Sequence, residues 1–298
     1  MSSGSVQIHH VWATNFDAEF HLLTQMLSYF SNVTIDTEFP GAIYPSRPPS
    51  FPSLQYSEKY YQSLKANVDC MNLIQLGITL TDNYGRLPKF DDHYVVWEFN
   101  FRDFDVSTDL QAPEAIQLLR SHGIDLEKTR EHGIDSALFA QRMCESGLVH
   151  YDLASGTRLL HRSYYDIASG IRYLVRPRWI CFQGGYDFAY LIKILSHGRP
   201  LPETINDFLD VMNHVFGAVF DVKHMMKCHG LYGGLERVAK TLGVVRSVGQ
   251  THCSGSDSLL TWQIFEKLCK CFGKVDWSEA MGVIAGLECH ALNRRLQL

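Results

Sequence analysis

The 298-residue sequence has no Cys-x-x-Cys pair among its eight cysteines, no run of 18 apolar residues, and no basic segment leading into an apolar stretch at its N-terminus, which reads MSSGSVQIHH. Without paired spacing, and with most cysteines in apolar segments, zinc ligation is excluded and reduced intracellular thiols are expected. The two other absences lead to the expectation of a soluble, non-secreted protein with no membrane partner. Excess positive charge is lacking too. The net charge is −5, so no general basic field collects nucleic acid, and an RNA substrate would need metals and a local groove to offset repulsion. No shift in composition divides the chain, and 46% hydrophobic and 12% aromatic content suffices for one core, so a single domain over residues 1–298 is expected.

The stretch from Val33 to Gly41 organises what is present. β-branched residues surround Asp36 and Glu38, and Pro40-Gly41 ends the run, which reads as a buried strand carrying Asp-x-Glu. Alternation places both carboxylates on one face. Two desolvated acids repel unless a cation lies between them, and a hard divalent ion with oxygen ligands suits the pair. An edge strand with two solvated acids is the commoner use of so short a pattern. More acids are needed to decide.

Thr14 with Asp17 resembles a capping box, followed by Phe16, Phe20, Leu23, Leu27 and Phe30 at helical spacing. Five of the ten prolines fall within residues 40–52 and predict a loop beside the Asp-x-Glu strand. A helix over 57–68 precedes the alternation of Leu76, Ile78 and Leu80, and Tyr94 to Phe99 then completes an antiparallel pair next to the first strand. Helices are predicted over 113–121, 135–145, 205–216 and 233–242, and strands over 179–182 and 218–222. Between them, YDLASGTRLLHR (151–162) and YDIASGIRYLVR (165–176) share eight of twelve positions, a local duplication too short for a solenoid. Arg158, Arg162, Arg172, Arg176 and Arg178 make residues 147–178 the most basic stretch. It could meet an RNA backbone, although charge runs are more often simply solvated.

Asp187 follows Gly184-Gly185 and falls in the first turn of an apolar helix, where an acid commonly does no more than complement the helix dipole. Asp257 lies at another helix start, and His252 sits five residues before it in a polar loop; an N-cap and a surface histidine are the ordinary readings of the two. Taken together, however, a strand Asp-x-Glu, a helix-start Asp and a His-x4-Asp are what a two-metal phosphoryl-transfer site requires.

The sequence resembles the DEDDh 3′-to-5′ exonucleases of RNase H-like fold and, within them, the Caf/Pop-type poly(A) deadenylase subunits of the CCR-NOT complex. The resemblance covers about residues 6–272 through VTIDTEFPG, LKANVD, LIQLGIT, WEFNF, GYDFAYLIKIL, DVKHMMK, GGLERVAKTLG and THCSGSDSLLT. It implies an α/β fold, a mixed sheet whose first three strands are antiparallel, flanked by helices. It also implies Asp36, Glu38, Asp187 and Asp257 as ligands of two divalent ions (Mg²⁺ or Mn²⁺) and His252 as general base. In that assignment Asp36 touches both ions, Glu38 and Asp257 hold the one that activates water, and Asp187 supports the other. The activity implied is removal of mRNA poly(A) tails as 5′-AMP, in cytoplasm and nucleus, with poly(A) RNA, a CCR-NOT scaffold subunit and a second deadenylase as partners. A general single-strand exonuclease, or a catalytically weak subunit that bridges a scaffold, are the other readings.

The chain departs from the family in three places. About 23 residues are inserted upstream of Asp187, as Ser146-Gly147-Leu148 set against Ser169-Gly170-Ile171 indicates; looser packing between strand 179–182 and the Asp187 helix is one expected consequence. Gln183 and Gly184 stand where His and Ser are usual, which would weaken local support of Asp187. Residues 279–298 resemble the family only weakly, and the site is expected not to depend on them.

Overall fold

The structure is a computed structural model describing residues 5–44, 54–159, 163–166, 171–174, 177–271 and 277–288. The elements run β1 (Val6–Val11), α1 (Phe16–Met26), β2 (Asn32–Glu38), α2 (Leu54–Cys70), β3 (Gln75–Thr81), β4 (Lys89–Phe90), β5 (His93–Asn100), α3 (Pro113–Ser121), α4 (Leu126–His132) and α5 (Ser136–Ser146). Two small hairpins follow, β6 (Tyr151–Asp152) with β7 (Thr157–Arg158) and β8 (Ser163–Asp166) with β9 (Ile171–Leu174). The rest comprises β10 (Arg178–Cys181), α6 (Gly185–Leu195), α7 (Ile205–Phe216), β11 (Ala218–Asp221), α8 (Val222–Lys227), α9 (Leu235–Leu242), α10 (Ser254–Cys271) and α11 (Trp277–Ala280).

Alternation along β2 decides which layer packs where. Val33 and Ile35 point to one face, where Trp179 and Val219 of the neighbouring strands join them in a core closed by α1, α2, α5, α6 and α7. Thr34, Asp36 and Glu38 belong to the other face, where Ile180 and Phe220 pack with α8, α9 and α10. The strand order is β1-β5-β3-β2-β10-β11, with β4 beside β5. β3 is antiparallel to both β2 and β5, whereas β10 is parallel to β2 and to β11. This is the mixed, helix-flanked RNase H-like sheet that the resemblance implied, with β3 antiparallel to its neighbours β2 and β5 among the three strands read first.

β1 was not anticipated. It is an edge strand with only Val11 fully buried, and its parallel pairing with β5 joins residues 88 apart, as in His10 with Glu98. Seven-residue α4 is too short to show a period. The capping box at Thr14 does not form: Asn15 is the N-cap of α1 and makes no side-chain cap bond, because its Oδ1 accepts the Trp12 N–H at 2.7 Å. Most of the proline-rich loop, 45–52, lies outside the described residues, as do the side chains of Arg162, Arg172 and Arg176.

The duplicated sequence yields one hairpin twice in the same register. Tyr151 pairs with Arg158 and Asp152 with Thr157; fourteen residues on, Tyr165 pairs with Arg172 and Asp166 with Ile171. Both hairpins are two-stranded sheets of their own and precede β10 in the chain, whereas Asp187 follows it. Arg178 is half-buried in β10, with Nη2 donating to Asn83 at 2.5 Å. Among the described residues no helix is long and apolar enough to cross a membrane.

Candidate metal centre

Asp36 lies opposite Gly77 in the β2–β3 ladder. A Cβ built on Gly77 would overlap the Ser254 carbonyl, so only bare backbone admits the start of α10 against β3. The close approach is secured by Thr79, whose hydroxyl meets that of Ser258 at 2.9 Å. α10 thereby delivers Asp257, in its first turn, to the face that carries Asp36 and Glu38. In the preceding loop His252 adopts φ +60°, and its N–H donates to Asp257 Oδ2 at 3.1 Å. The ligand atoms of Glu38, His252 and Asp257 all lie within 4.8 Å of one another.

Asp187 reaches the same end of β2 from the opposite helical layer, and its Oδ1 accepts the Thr37 hydroxyl. The turn before it is held by Asp221, fully buried at the end of β11. Asp221 accepts the backbone N–H groups of Gln183 (2.9 Å), Gly184 (3.1 Å), Lys223 (2.9 Å) and Ala285 (2.9 Å). Burial raises the Asp221 carboxyl, and these four donors oppose the rise.

Three expectations are thereby corrected. Support of Asp187 is not weakened at Gln183-Gly184: the turn is pinned, and a Cβ at Gly184 would collide with Cys181 Sγ, so the glycine is what this cysteine requires. Nor is the C-terminal segment irrelevant, because Ala285 completes the Asp221 cradle. Packing of β10 on α6 is likewise unimpaired by the insertion; Trp179, Cys181 and Phe188 are fully buried.

Glu38, Asp187 and Asp257 are buried, and Asp36 is partly exposed. Burial, then the charges of Asp257, Asp187 and Glu38, push the Asp36 carboxyl well above the usual range, with Arg246 opposing. Glu38 is raised by burial, Asp257, Asp187 and Glu98. Asp187 is pushed up to about 7, chiefly by burial and against the hydrogen bonding of Thr37. Asp257 is raised by burial despite Arg246, whose Nη2 lies 2.6 Å from its Oδ1. All five residues named from the sequence thus share one locus. Four acids with a single guanidinium among them, offering only oxygen donors, fit hard divalent cations.

Sequence reasoning missed Arg246, Thr37, Gly77 and Asp221. Arg246 also bonds Glu236 and Ser256 and donates to the Gln250 carbonyl at 3.3 Å, tying α9, the His252 loop and α10 together. Only Asp221 had a local signal, an acid between a strand and a helix start.

Residues 11–148 match the model of the CAF1 family ribonuclease. The chain is 39% identical over 290 residues to "Probable CCR4-associated factor 1 homolog 7" of Arabidopsis thaliana, spanning 96% of this chain and 95% of the relative. It is 36% identical over 267 residues to "Poly(A) ribonuclease pop2" of Schizosaccharomyces pombe, spanning 89% and 70%. The Mg²⁺- and Mn²⁺-bound form of S. pombe Pop2p is similar at a TM-score of 0.78 and 34% identity, covering 94% of this chain and 99% of that one. A chain in the structure of the yeast NOT1 MIF4G domain co-crystallized with CAF1 is similar at 0.69 and 28% identity, covering 93% and 96%.

Proposed function

Since this chain belongs to the CAF1 family of ribonucleases, we propose that it shortens the 3′ poly(A) tail of mRNA one nucleotide at a time, releasing 5′-AMP. The observation that carries this reading is the convergence of Asp36, Glu38, Asp187 and Asp257 with His252 at one end of β2, in a chain 36% identical to a poly(A) ribonuclease.

Asp36, Glu38, Asp187 and Asp257 would hold two divalent ions, Mg²⁺ or Mn²⁺, the pair found with the S. pombe neighbour. When bound, the ions lower the pKa of the attacking water and neutralise charge on the scissile phosphate. The rest of the work belongs to the chain. Thr37 orients Asp187, Arg246 and the His252 N–H orient Asp257, and His252 takes the proton from the water.

The same reading makes a CCR-NOT scaffold and a second deadenylase the protein partners, the former supported by the NOT1 neighbour. It makes residues 1–298 one exonuclease unit with a local duplication at 147–178, acting in cytoplasm and nucleus. Incubation of purified protein with A-tailed RNA, with and without EDTA, tests the activity. Stepwise shortening that EDTA abolishes is expected; equal turnover of A-rich, U-rich and DNA oligonucleotides would remove the tail preference, and no cleavage would leave a bridging subunit.

A further inference from the structure

Beside the carboxylates, toward β1, lies a cavity of about 510 Å³ that none of the steps above uses. Its floor continues the row that starts at Asp36: Asp36 faces Gly77, Gly77 faces Glu98, and Glu98 faces His10. With strands about 4.8 Å apart, Glu98 stands about 10 Å and His10 about 14 Å from Asp36. The far wall belongs to the loop that carries His252. Gln250 and Cys253 line it, and the ring of His122, which also lines it, lies 4.9 Å edge-on from that of His252.

The lining combines a cation, an aromatic face and polar edges. Lys128 is exposed, with its ammonium 4.4 Å from the centre of the Trp12 ring. The acids nearby are already engaged. Asp125 caps α4 through the Lys128 N–H at 2.9 Å, and Glu98 accepts from His10 Nδ1 at 2.8 Å and the Gly255 N–H at 3.2 Å. The hydrogen bond that His10 donates to Glu98 raises the pKa of His10 and so favours its cationic form. Gln75, 5% exposed, donates its amide nitrogen to Asn100 at 2.8 Å, while its Oε1 has no hydrogen-bond partner. Sites for single-stranded nucleic acid combine these same features, a cation that follows the backbone and an aromatic face on which a base stacks.

We infer that this cavity is a second nucleotide subsite, taking a base on Trp12 and a phosphate on Lys128 from the strand whose 3′ end lies at the carboxylates. The subsite presupposes the exoribonuclease reading above. Lys128 now covers the indole; being exposed, it can swing to a phosphate and leave the ring to the base. Upstream nucleotides would then contribute affinity without touching the reacting atoms.

The test is steady-state cleavage of an oligoadenylate of about ten nucleotides, within the usual single-strand site size, by wild type, Trp12→Ala, Trp12→Phe and Lys128→Glu. Trp12→Ala should raise KM roughly tenfold with kcat retained, and Trp12→Phe should stay near wild type. Lys128→Glu should raise KM and lower the slope of log KM against log salt by about one contact. Because Lys128 is exposed, its variant gives an answer even if Trp12→Ala misfolds. Wild-type cleavage with KM and salt slope unchanged in Lys128→Glu overturns the subsite alone, whereas a wild type that cleaves no RNA overturns the exoribonuclease reading with it.

Discussion

His252 and Asp36 lie within one cluster yet should fail in different ways. His252 is held by backbone, through φ +60° and its N–H on Asp257, so removing its ring leaves four carboxylates in place. His252→Ala is expected to bind Mn²⁺ near wild-type strength, as titration calorimetry would read, while cleaving about 10² to 10⁴-fold more slowly. A variant that lost the metal instead would make His252 a ligand, as its nearness to Glu38 and Asp257 permits. Asp36 senses the charge of each of the other three acids, so a site without it is incomplete rather than weakened. Asp36→Ala should cleave A-tailed RNA no faster than Asp36→Ala combined with Glu38→Ala, measured in the same laddering assay. Substantial residual activity in the single variant would refute the two-ion assignment.

The elements show how far residue pattern reaches. β2 was legible because alternating β-branched residues and a Pro-Gly stop describe a strand without reference to anything else, and α7 because its apolar period is long. β1 was not legible, since its register comes from β5, and of Asp221 only its place before α8 was, since its other N–H donors come from two remote segments, 183–184 and 285. Arg246 bridges α9 and α10 at a distance that local pattern does not encode. Gly77 is the sharpest instance: in sequence it weakens a strand, and in the fold it admits α10. Gly77→Ala should cost about 1–3 kcal/mol in chemical denaturation by overpacking, and because α10 carries Asp257 it should weaken Mn²⁺ binding as well. Lost stability with unaltered metal affinity would show that α10 tolerates displacement.

For the molecule as a whole, four crowded acids link metal, pH and stability. Asp187 is pushed up to about 7, whereas an ordinary aspartate titrates near 3.9. Between those values the folded, metal-free chain keeps a proton that the unfolded chain releases, so raising the pH through this window removes stability. The melting temperature in chelator should therefore fall from about pH 4 to about pH 7, and Mn²⁺ should raise it more at about pH 8 than at about pH 5, because cations compete with protons for these oxygens. A metal-induced shift that does not vary with pH would contradict this linkage. The repeated hairpin bears on none of it. Deleting 147–168, which removes the first copy and β8 of the second, should leave kcat and the salt dependence of RNA cleavage unchanged. A weaker salt dependence would instead identify Arg158 and Arg162 as backbone contacts.

The docking of α10 at Gly77 also has a consequence in time. Asp36 and Glu38 are made more than 200 residues before Asp257, and β2 and β3 can pair long before α10 exists to close over them. Contacts so distant in sequence form late. A nascent chain therefore holds Asp36, Glu38 and Asp187 without their fourth partner until α10 is released, and only then can the four-acid cluster close.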